Sequence, residues 1–495
     1  MADDTPSLYV AMAAALTATG DRIAIVDDSG AMSGAALLHG VERWAAGLAA
    51  LGVGASDRVA VQAEKSLDLV QLYLATLRLG AVYLPLNSGY QPAEIAYFLT
   101  DANPVLFVCD PSRAALFGDS GVPIATLGAD GSGSLAETVA ASNPPAPPHG
   151  CHAGDLAVII YTSGTTGRSK GAMITHGNLL SNARALIAAW GIGPEDVLLH
   201  ALPLFHIHGL FVGLNPLLLA GAEIRFMAAF DSTRAIDRFP GASLFMGVPT
   251  YYTRLLADAR LDQHAAADIR LFICGSAPLT TATFDSFEAR TGHRILERYG
   301  MSECGIICSN PLAGPRLAGA VGRPLDGITV RIADGKEIGV LEVSGPNVFA
   351  GYWQQPDKTR AEFRDDGFFI TGDIASIDGD GVVRIVGRDK DMIIAGGLNV
   401  YPSEIETLID QLPGIGESAV IGLPHPDFGE VVAAVIRPEP GHAVDPAAIV
   451  AALRPQLAGF KLPKAVFAVD DLPRNTMGKV QKALLRAEYS TWFGG

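Results

Sequence analysis

Residues 161–171 read YTSGTTGRSKG, with three glycines, an arginine and a lysine set among serines and threonines. Glycine and small hydroxyl residues disfavour both helix and strand interiors, so the run is a loop. Immediately before it, LAVIIY (156–161) is an unbroken apolar run of strand length. After it, THGNLLSNARALIAAW (175–190) carries helical periodicity, with His176 and Asn178 at or beside its cap. The loop is therefore predicted to follow a strand and precede a helix. Glycines there let backbone N–H groups approach an anion, and the hydroxyls and Lys170 add donors and charge. A Walker loop needs G-x-x-x-x-G-K-[ST]. Here Gly164, Gly167 and Lys170 fall every third residue, so the reading is a phosphate grip outside the P-loop fold.

Outward from this loop, strand and helix patterns alternate. DRVAVQA (57–63), VYLPLN (82–87) and PVLFVCD (104–110) read as strands, and SLDLVQLYLATLRLGA (66–81) as a helix. EIRFM (223–227), LFMGV (244–248) and LFICG (271–275) continue the alternation. GVLEVSGP (339–346) and GVVRIVGR (381–388) look antiparallel, with turn signals between strands. NPPAPPHG (143–150) is a proline-rich connector, and a shorter α/β portion runs from about 389 to the end. The fold class expected is α/β: a large N-terminal domain of α/β sheets with a small β-barrel-like portion, residues 1–388, and a smaller mobile α+β C-terminal domain, residues 389–495.

A chain of 495 residues exceeds one core, and 49% hydrophobic with 18% charged residues is a core-forming composition. The net charge of −16 argues against nucleic acid or an anionic membrane as partner. The acidic N-terminus has no signal-peptide pattern, and no apolar run reaches the roughly 20 residues that span a bilayer. The five scattered cysteines read as reduced thiols, and Cys304 and Cys308 lack the neighbours of a metal site. A cytoplasmic protein is expected.

Further motifs follow in order: LPLFHIHG (202–209), GSAPL (275–279), ERYGMSE (297–303), TGD (371–373), GRDKDMIIAGGLNVYPSEIE (387–406) and PRNTMGKVQK (473–482). With YTSGTTGRSKG they resemble, over nearly the whole chain, the acyl-adenylate-forming superfamily of acyl-CoA synthetases, luciferases and adenylation domains. The resemblance implies two half-reactions. A carboxylate attacks the α-phosphate of Mg²⁺·ATP to give acyl-AMP and pyrophosphate, and CoA then displaces AMP. It implies that the loop, Thr162, Ser163, Gly164, Thr165, Thr166, Gly167 and Lys170, holds the β- and γ-phosphates. Glu303, with Thr166, would hold Mg²⁺, for which a hard oxygen donor is suited. Ser276, Ala277, Glu297, Arg298, Tyr299, Gly300, Met301 and Ser302 would line the nucleotide, with Tyr299 against adenine. Asp373 and Arg388 would bind the ribose hydroxyls.

By the same resemblance Lys479 would bridge the attacking carboxylate and the α-phosphate, a role for a compact charge. Lys390 would be the hinge about which the C-terminal domain rotates, withdrawing Lys479 and bringing AGGLN, with Gly396 and Gly397, to the CoA channel. His206 would gate the acyl or thiol path. One departure is Ser302, where the family usually has threonine; the hydroxyl is kept.

A second carboxylate on the acid would demand a buried cation, and arginine meets it with two bonds. Arg254 in GVPTYYTR and Arg298 in ERYGMSE stand in pocket segments, and both contexts resemble the malonyl-CoA synthetase branch. Ile207, His208, Ser276 and Met301 would shape the pocket floor. Malonate, with methylmalonate as a further substrate, is the acid expected. Another short-chain or aryl acid, or a stand-alone enzyme loading a carrier protein, remains open on the sequence. Acetylation of Lys479 by a lysine acetyltransferase, reversed by a deacetylase, would remove the charge it works with.

Overall fold

A computed structural model describes residues 5–142, 149–162, 169–395, 398–425, 428–475 and 478–493. Ser163, Gly164, Thr165, Thr166, Gly167, Gly396 and Gly397 lie outside the described residues, as does most of the proline-rich connector.

Two large sheets form the N-terminal part. The first has seven strands in the order Gly351–Tyr352, Lys170–Thr175, Leu156–Thr162, Val82–Pro85, Arg58–Gln62, Leu106–Cys109 and Ile124–Thr126. Its central strands are parallel and almost wholly buried, which is why they read as continuous apolar runs. The predicted helix appears as Leu67–Arg78, started by the Ser66 hydroxyl, which accepts from the Leu69 N–H at 3.1 Å. The second sheet has nine strands, with Leu296–Met301, Leu271–Cys274, Leu244–Gly247, Val197–His200 and Glu223–Phe226 adjacent and parallel at its centre.

One expectation is corrected. The glycine-rich loop does not lead straight into a helix. It joins Leu156–Thr162 to an antiparallel partner, Lys170–Thr175, in a hairpin, and the helix His176–Trp190 follows. Gly171 lies against Ile159 and Trp353, so the segment after the loop is drawn into the sheet, and its outer edge pairs with Gly351–Tyr352. The helix cap is Thr175, with Asn178 returning the capping bond; His176 is buried in the first turn.

The expected small β portion is a four-stranded antiparallel sheet of Thr329–Ile332, Ile338–Ser344, Phe369–Ile377 and Val383–Arg388. From Ile393 onward a third body has its own sheet. There Gly429–Pro438 pairs with Ile393–Ala395, Ile415–His425 and Ala465–Ala468, with helices such as Pro402–Ile409 packed on it. Its two apolar clusters contain no residue before Ile393. Among the described residues no helix is long and apolar enough to cross a membrane.

Candidate active site

The site gathers at the carboxyl ends of the parallel strands, where open α/β sheets bind ligands. Val197–His200 runs on into LPLFHIHG, Leu244–Gly247 into the helix Pro249–Ala257, and Leu271–Cys274 into GSAPL. Leu296–Met301 pairs parallel with Leu271–Cys274 through Leu296 and Glu297. It then runs past that strand's end and turns to antiparallel pairing with Gly305–Ser309. Arg298, Tyr299, Gly300 and Met301 are thereby carried out over the cleft.

Tyr299 and Asp373 come together, the phenol donating to Asp373 Oδ2 at 2.5 Å. Asp373 and Arg388 are cross-strand partners of the antiparallel sheet, and Arg388 Nε lies 2.6 Å from Asp373 Oδ1. The expected adenine and ribose residues thus form one connected unit, with Asp373 only 2% exposed and Tyr299 and Arg388 half-buried.

Lys479 lies in the same cleft. Its hairpin is built by mutual bonds: the Lys479 N–H donates to Asn475 Oδ1 at 3.0 Å, and Arg474 Nη1 donates to the Gly478 carbonyl at 2.7 Å. Gly478 has φ +75°, and a Cβ there would stand 3.2 Å from Thr250 Cγ2, so the hairpin is docked on the helix Pro249–Ala257. Lys479 keeps exposed surface, but its ammonium is set among the cleft walls. That burial, with Arg388 beside it and Asp373 opposing, brings its ammonium down to about 8. Lys390 sits in the turn Asp389–Asp391 between the antiparallel sheet and the third body, and is exposed.

The phosphate end is a second cluster. Glu303 is 6% exposed, and burial raises its carboxyl above the usual range. Its Oε1 lies 3.5 Å from Thr162 Oγ1 and 3.2 Å from the Tyr352 hydroxyl. Lys170 is buried, with its Nζ 3.2 Å from Glu362 Oε1 and 4.9 Å from the Tyr352 ring centre. Glu362 also accepts from the Tyr352 hydroxyl at 2.6 Å and from Lys358 at 2.7 Å. Burial pushes the Glu362 carboxyl up, and Lys358, Tyr352 and Lys170 outweigh it, leaving it below the ordinary value. Tyr352, Lys358 and Glu362 were not legible in the sequence. Only the pairing of Gly351–Tyr352 with Lys170–Thr175 brings them here.

These residues fit Mg²⁺. One phenolic proton faces two carboxylates, so with both ionised one of the Tyr352 contacts has no proton; a cation on Glu303 removes that conflict. A single carboxylate is also the donor set expected for Mg²⁺ shared with phosphates. Among the described residues no group of three metal-ligating side chains competes with it.

A third cluster surrounds Arg298. The guanidinium is 4% exposed, and its Nε and Nη2 have no hydrogen-bond partner among the described residues. Burial lowers its pKa to about 10. Gly275 makes room for it, since a Cβ there would stand 2.4 Å from Arg298 Cζ. Burial, followed by Arg298, depresses His206 to about 4 and holds His208 well below the imidazole range, so both are neutral at pH 7. The His208 N–H donates to His206 Nδ1 at 3.2 Å, and His208 Nδ1 is 3.2 Å from Ser276 Oγ. Ser276 has φ +73°, a left-handed backbone unusual for serine, as strained residues at functional sites often are.

Other expected residues fall around these clusters. Met301, Ser302 and Ala277 are half-buried, and Ile207 is buried in the main apolar core. Glu297 accepts from the Gly319 N–H at 3.2 Å, and burial raises it to about 8. Arg254 is exposed, without an ion pair or hydrogen bond among the described residues. It lies one turn beyond Thr250 on the same face of its helix, and so on the side that meets the Lys479 hairpin.

This arrangement is shared with known proteins. The sequence pattern of the AMP-binding enzyme family matches residues 12–353, and that of the AMP-binding enzyme C-terminal domain matches residues 404–479. The crystal structure of ATP-bound MatB from Rhodopseudomonas palustris superposes with a TM-score of 0.95, at 49% identity, covering 98% of this chain and 100% of that one. The apo form of that protein gives 0.83, at 49% identity over 98% of this chain and 99% of that one. The malonate–CoA ligase of Arabidopsis thaliana is 34% identical over 87% of this chain and 77% of its own. A feruloyl-CoA synthase of an Amycolatopsis species is 35% identical over 93% and 94%. The chain therefore belongs to the AMP-binding enzyme family and is an AMP-forming acyl-CoA synthetase whose substrates include ATP and CoA and whose metal is Mg²⁺.

Proposed function

We propose that the acid is malonate, and that the enzyme makes malonyl-CoA, AMP and pyrophosphate through malonyl-adenylate. The observation that carries this reading is Arg298. A buried guanidinium with two unpaired nitrogens, beside two neutral histidines, is costly unless an anion enters. One carboxylate of malonate would meet Arg298 and Ser276, with Arg254 closing from the rim. The other would face the α-phosphate.

In the first half-reaction a carboxylate oxygen attacks the α-phosphorus, and the bond to the β-phosphate oxygen breaks, releasing pyrophosphate. Lys479 would hold the attacking carboxylate and the α-phosphate together while Tyr299, Asp373 and Arg388 hold the nucleoside. Thr162 and Lys170 would steady the outgoing phosphates. When bound, Mg²⁺ supplies Lewis-acid neutralisation of phosphate charge, with Glu303 as its protein donor. In the second half-reaction the CoA thiolate attacks the acyl carbon and AMP leaves. We place the domain boundary at 388/389 and the hinge at Lys390, about which the third body would rotate between half-reactions, with His206 gating the acyl or thiol path. We further propose a cytoplasmic location, methylmalonate as a poorer substrate, and acetylation of Lys479 as an off switch.

The test is CoA-dependent AMP formation from malonate, methylmalonate, succinate, acetate, butyrate, benzoate and ferulate, for wild type and Arg298→Met. Malonate should lead, and its advantage should collapse in the variant by roughly a hundredfold, the scale of losing a charge-assisted pair. A leading monocarboxylate in wild type would overturn the malonate reading and leave the enzyme class standing.

A further inference from the structure

Glu362 has no part in the reaction as described so far, yet at the phosphate end it touches Lys170, Lys358 and the Tyr352 hydroxyl. Its Oε1 takes both Lys170 at 3.2 Å and Lys358 at 2.7 Å. Its Oε2 takes the Tyr352 hydroxyl at 2.6 Å, and that hydroxyl stands 3.2 Å from Glu303 Oε1. We propose that Glu362 is the positioning residue of the triphosphate subsite, fixing Lys170 and Lys358 on one oxygen and aiming Glu303 through Tyr352 on the other, and that Lys358 is a further phosphate-binding residue. The proposal rests on Lys170 and Glu303 serving phosphate and metal, and holds for any acid.

The physical reasons are three. Two ammoniums on one carboxylate oxygen are necessarily close neighbours, so an anion that reaches one is within the field of the other. Lys170 is a long side chain whose rotamers are costly to fix, and Glu362 with the Tyr352 ring fixes it before ATP arrives. Outer partners of a metal ligand orient it and raise its affinity for the ion; Tyr352 is the direct neighbour of Glu303, and Glu362 holds Tyr352. The network also spans separate pieces of chain. Lys170 opens its strand, Glu303 follows Leu296–Met301, and Glu362 follows the short helix Pro356–Ala361 that carries Lys358. Gly351–Tyr352 pairs with the Lys170 strand, and the Tyr352 N–H is held by Thr359 Oγ1 at 2.9 Å. Helix, edge strand and phosphate hairpin are therefore locked to one another at this carboxylate.

Each half-reaction is measured separately, with the acid that wild type uses best. Mg²⁺·ATP binding is read by calorimetry without acid, and the Mg²⁺ dependence of acid-dependent ATP–pyrophosphate exchange is read in parallel. Thiolysis of chemically prepared acyl-adenylate by CoA, which needs neither triphosphate nor metal, is the control. Glu362→Gln and Tyr352→Phe should raise the half-saturating Mg²⁺ and weaken Mg²⁺·ATP binding by about 10–100-fold, with thiolysis within about twofold of wild type. Lys358→Met should weaken ATP binding by about tenfold and leave the half-saturating Mg²⁺ unchanged. Glu362→Asp, which keeps the charge on a shorter arm, should recover part of the Glu362→Gln loss. Unchanged Mg²⁺·ATP affinity in Glu362→Gln would overturn the positioning role. So would exchange and thiolysis falling together with the melting temperature, since that marks a merely structural contact. Unchanged ATP affinity in Lys358→Met would remove Lys358 from the subsite.

Discussion

Arg298 carries opposite signs for stability and for function. Its buried, half-unpaired guanidinium costs folding energy, and an unpaired buried charge replaced by an apolar side chain of similar length is often neutral or stabilising. Arg298→Met should therefore lose malonate activity while melting no lower than wild type in differential scanning fluorimetry. A melt several degrees lower would show that the guanidinium is holding the fold. Lys479 makes a second prediction at the same scale. Its pKa of about 8 lies below the ordinary lysine value, so the free enzyme carries the working ammonium below that pH and loses it above. The adenylation kcat/KM, which reports the free enzyme, should be flat through neutrality and fall above about pH 8. Lys479→Ala should remove that limb and cost roughly 10²–10³ in adenylation rate, with thiolysis of the acyl-adenylate retained. A limb that stays in Lys479→Ala would belong to another group.

Among the elements, the hairpin that carries Lys479 is the one whose geometry is most exacting. Gly478 has φ +75°, where a side chain is strained by about 1–2 kcal/mol, and the added methyl would press on Thr250 at 3.2 Å. Gly478→Ala should lower adenylation by about tenfold or more and spare thiolysis, because only the first half-reaction needs the hairpin docked. Equal loss in both, read by the same paired assays, would mean that the hairpin serves both steps in this position. The sequence placed this segment by its motif. The contact with the helix Pro249–Ala257, about 220 residues earlier in the chain, has no local signal. The same limit explains the correction at the glycine-rich loop. Lys170–Thr175, KGAMIT, neither alternates nor forms an unbroken apolar run, and their strand exists because two neighbouring strands take them up.

On the scale of the whole molecule, the chain superposes on ATP-bound MatB with a TM-score of 0.95 and on the apo form of that protein with 0.83, at equal identity. Here Lys479 lies in the cleft within the field of Asp373 and Arg388, the position proposed above for adenylation. If Lys390 is the hinge, Lys390→Pro should restrict its backbone near the helical value of the turn Asp389–Asp391. Adenylation should then persist within a few-fold, and thiolysis of acyl-adenylate should fall by at least about tenfold. Thiolysis at the wild-type rate would move the hinge elsewhere.

The amino-acid sequence by itself determined the class of fold, the enzyme family and the ordered motifs that supply Lys479, Glu303, Asp373 and Arg388, because apolar periodicity and short motifs are local properties of the chain. It also named Arg298, but could not say that its guanidinium is buried with two nitrogens unpaired. Nor could it show that Arg254 is exposed, or that Glu362 collects Lys170, Lys358 and Tyr352 on one carboxylate. Those are decided by the tertiary structure alone. Burial and pKa depend on residues brought together from distant parts of the chain; Lys358 and Tyr352 stand near Glu362 in sequence, but Lys170 lies 192 residues away and no short window contains both.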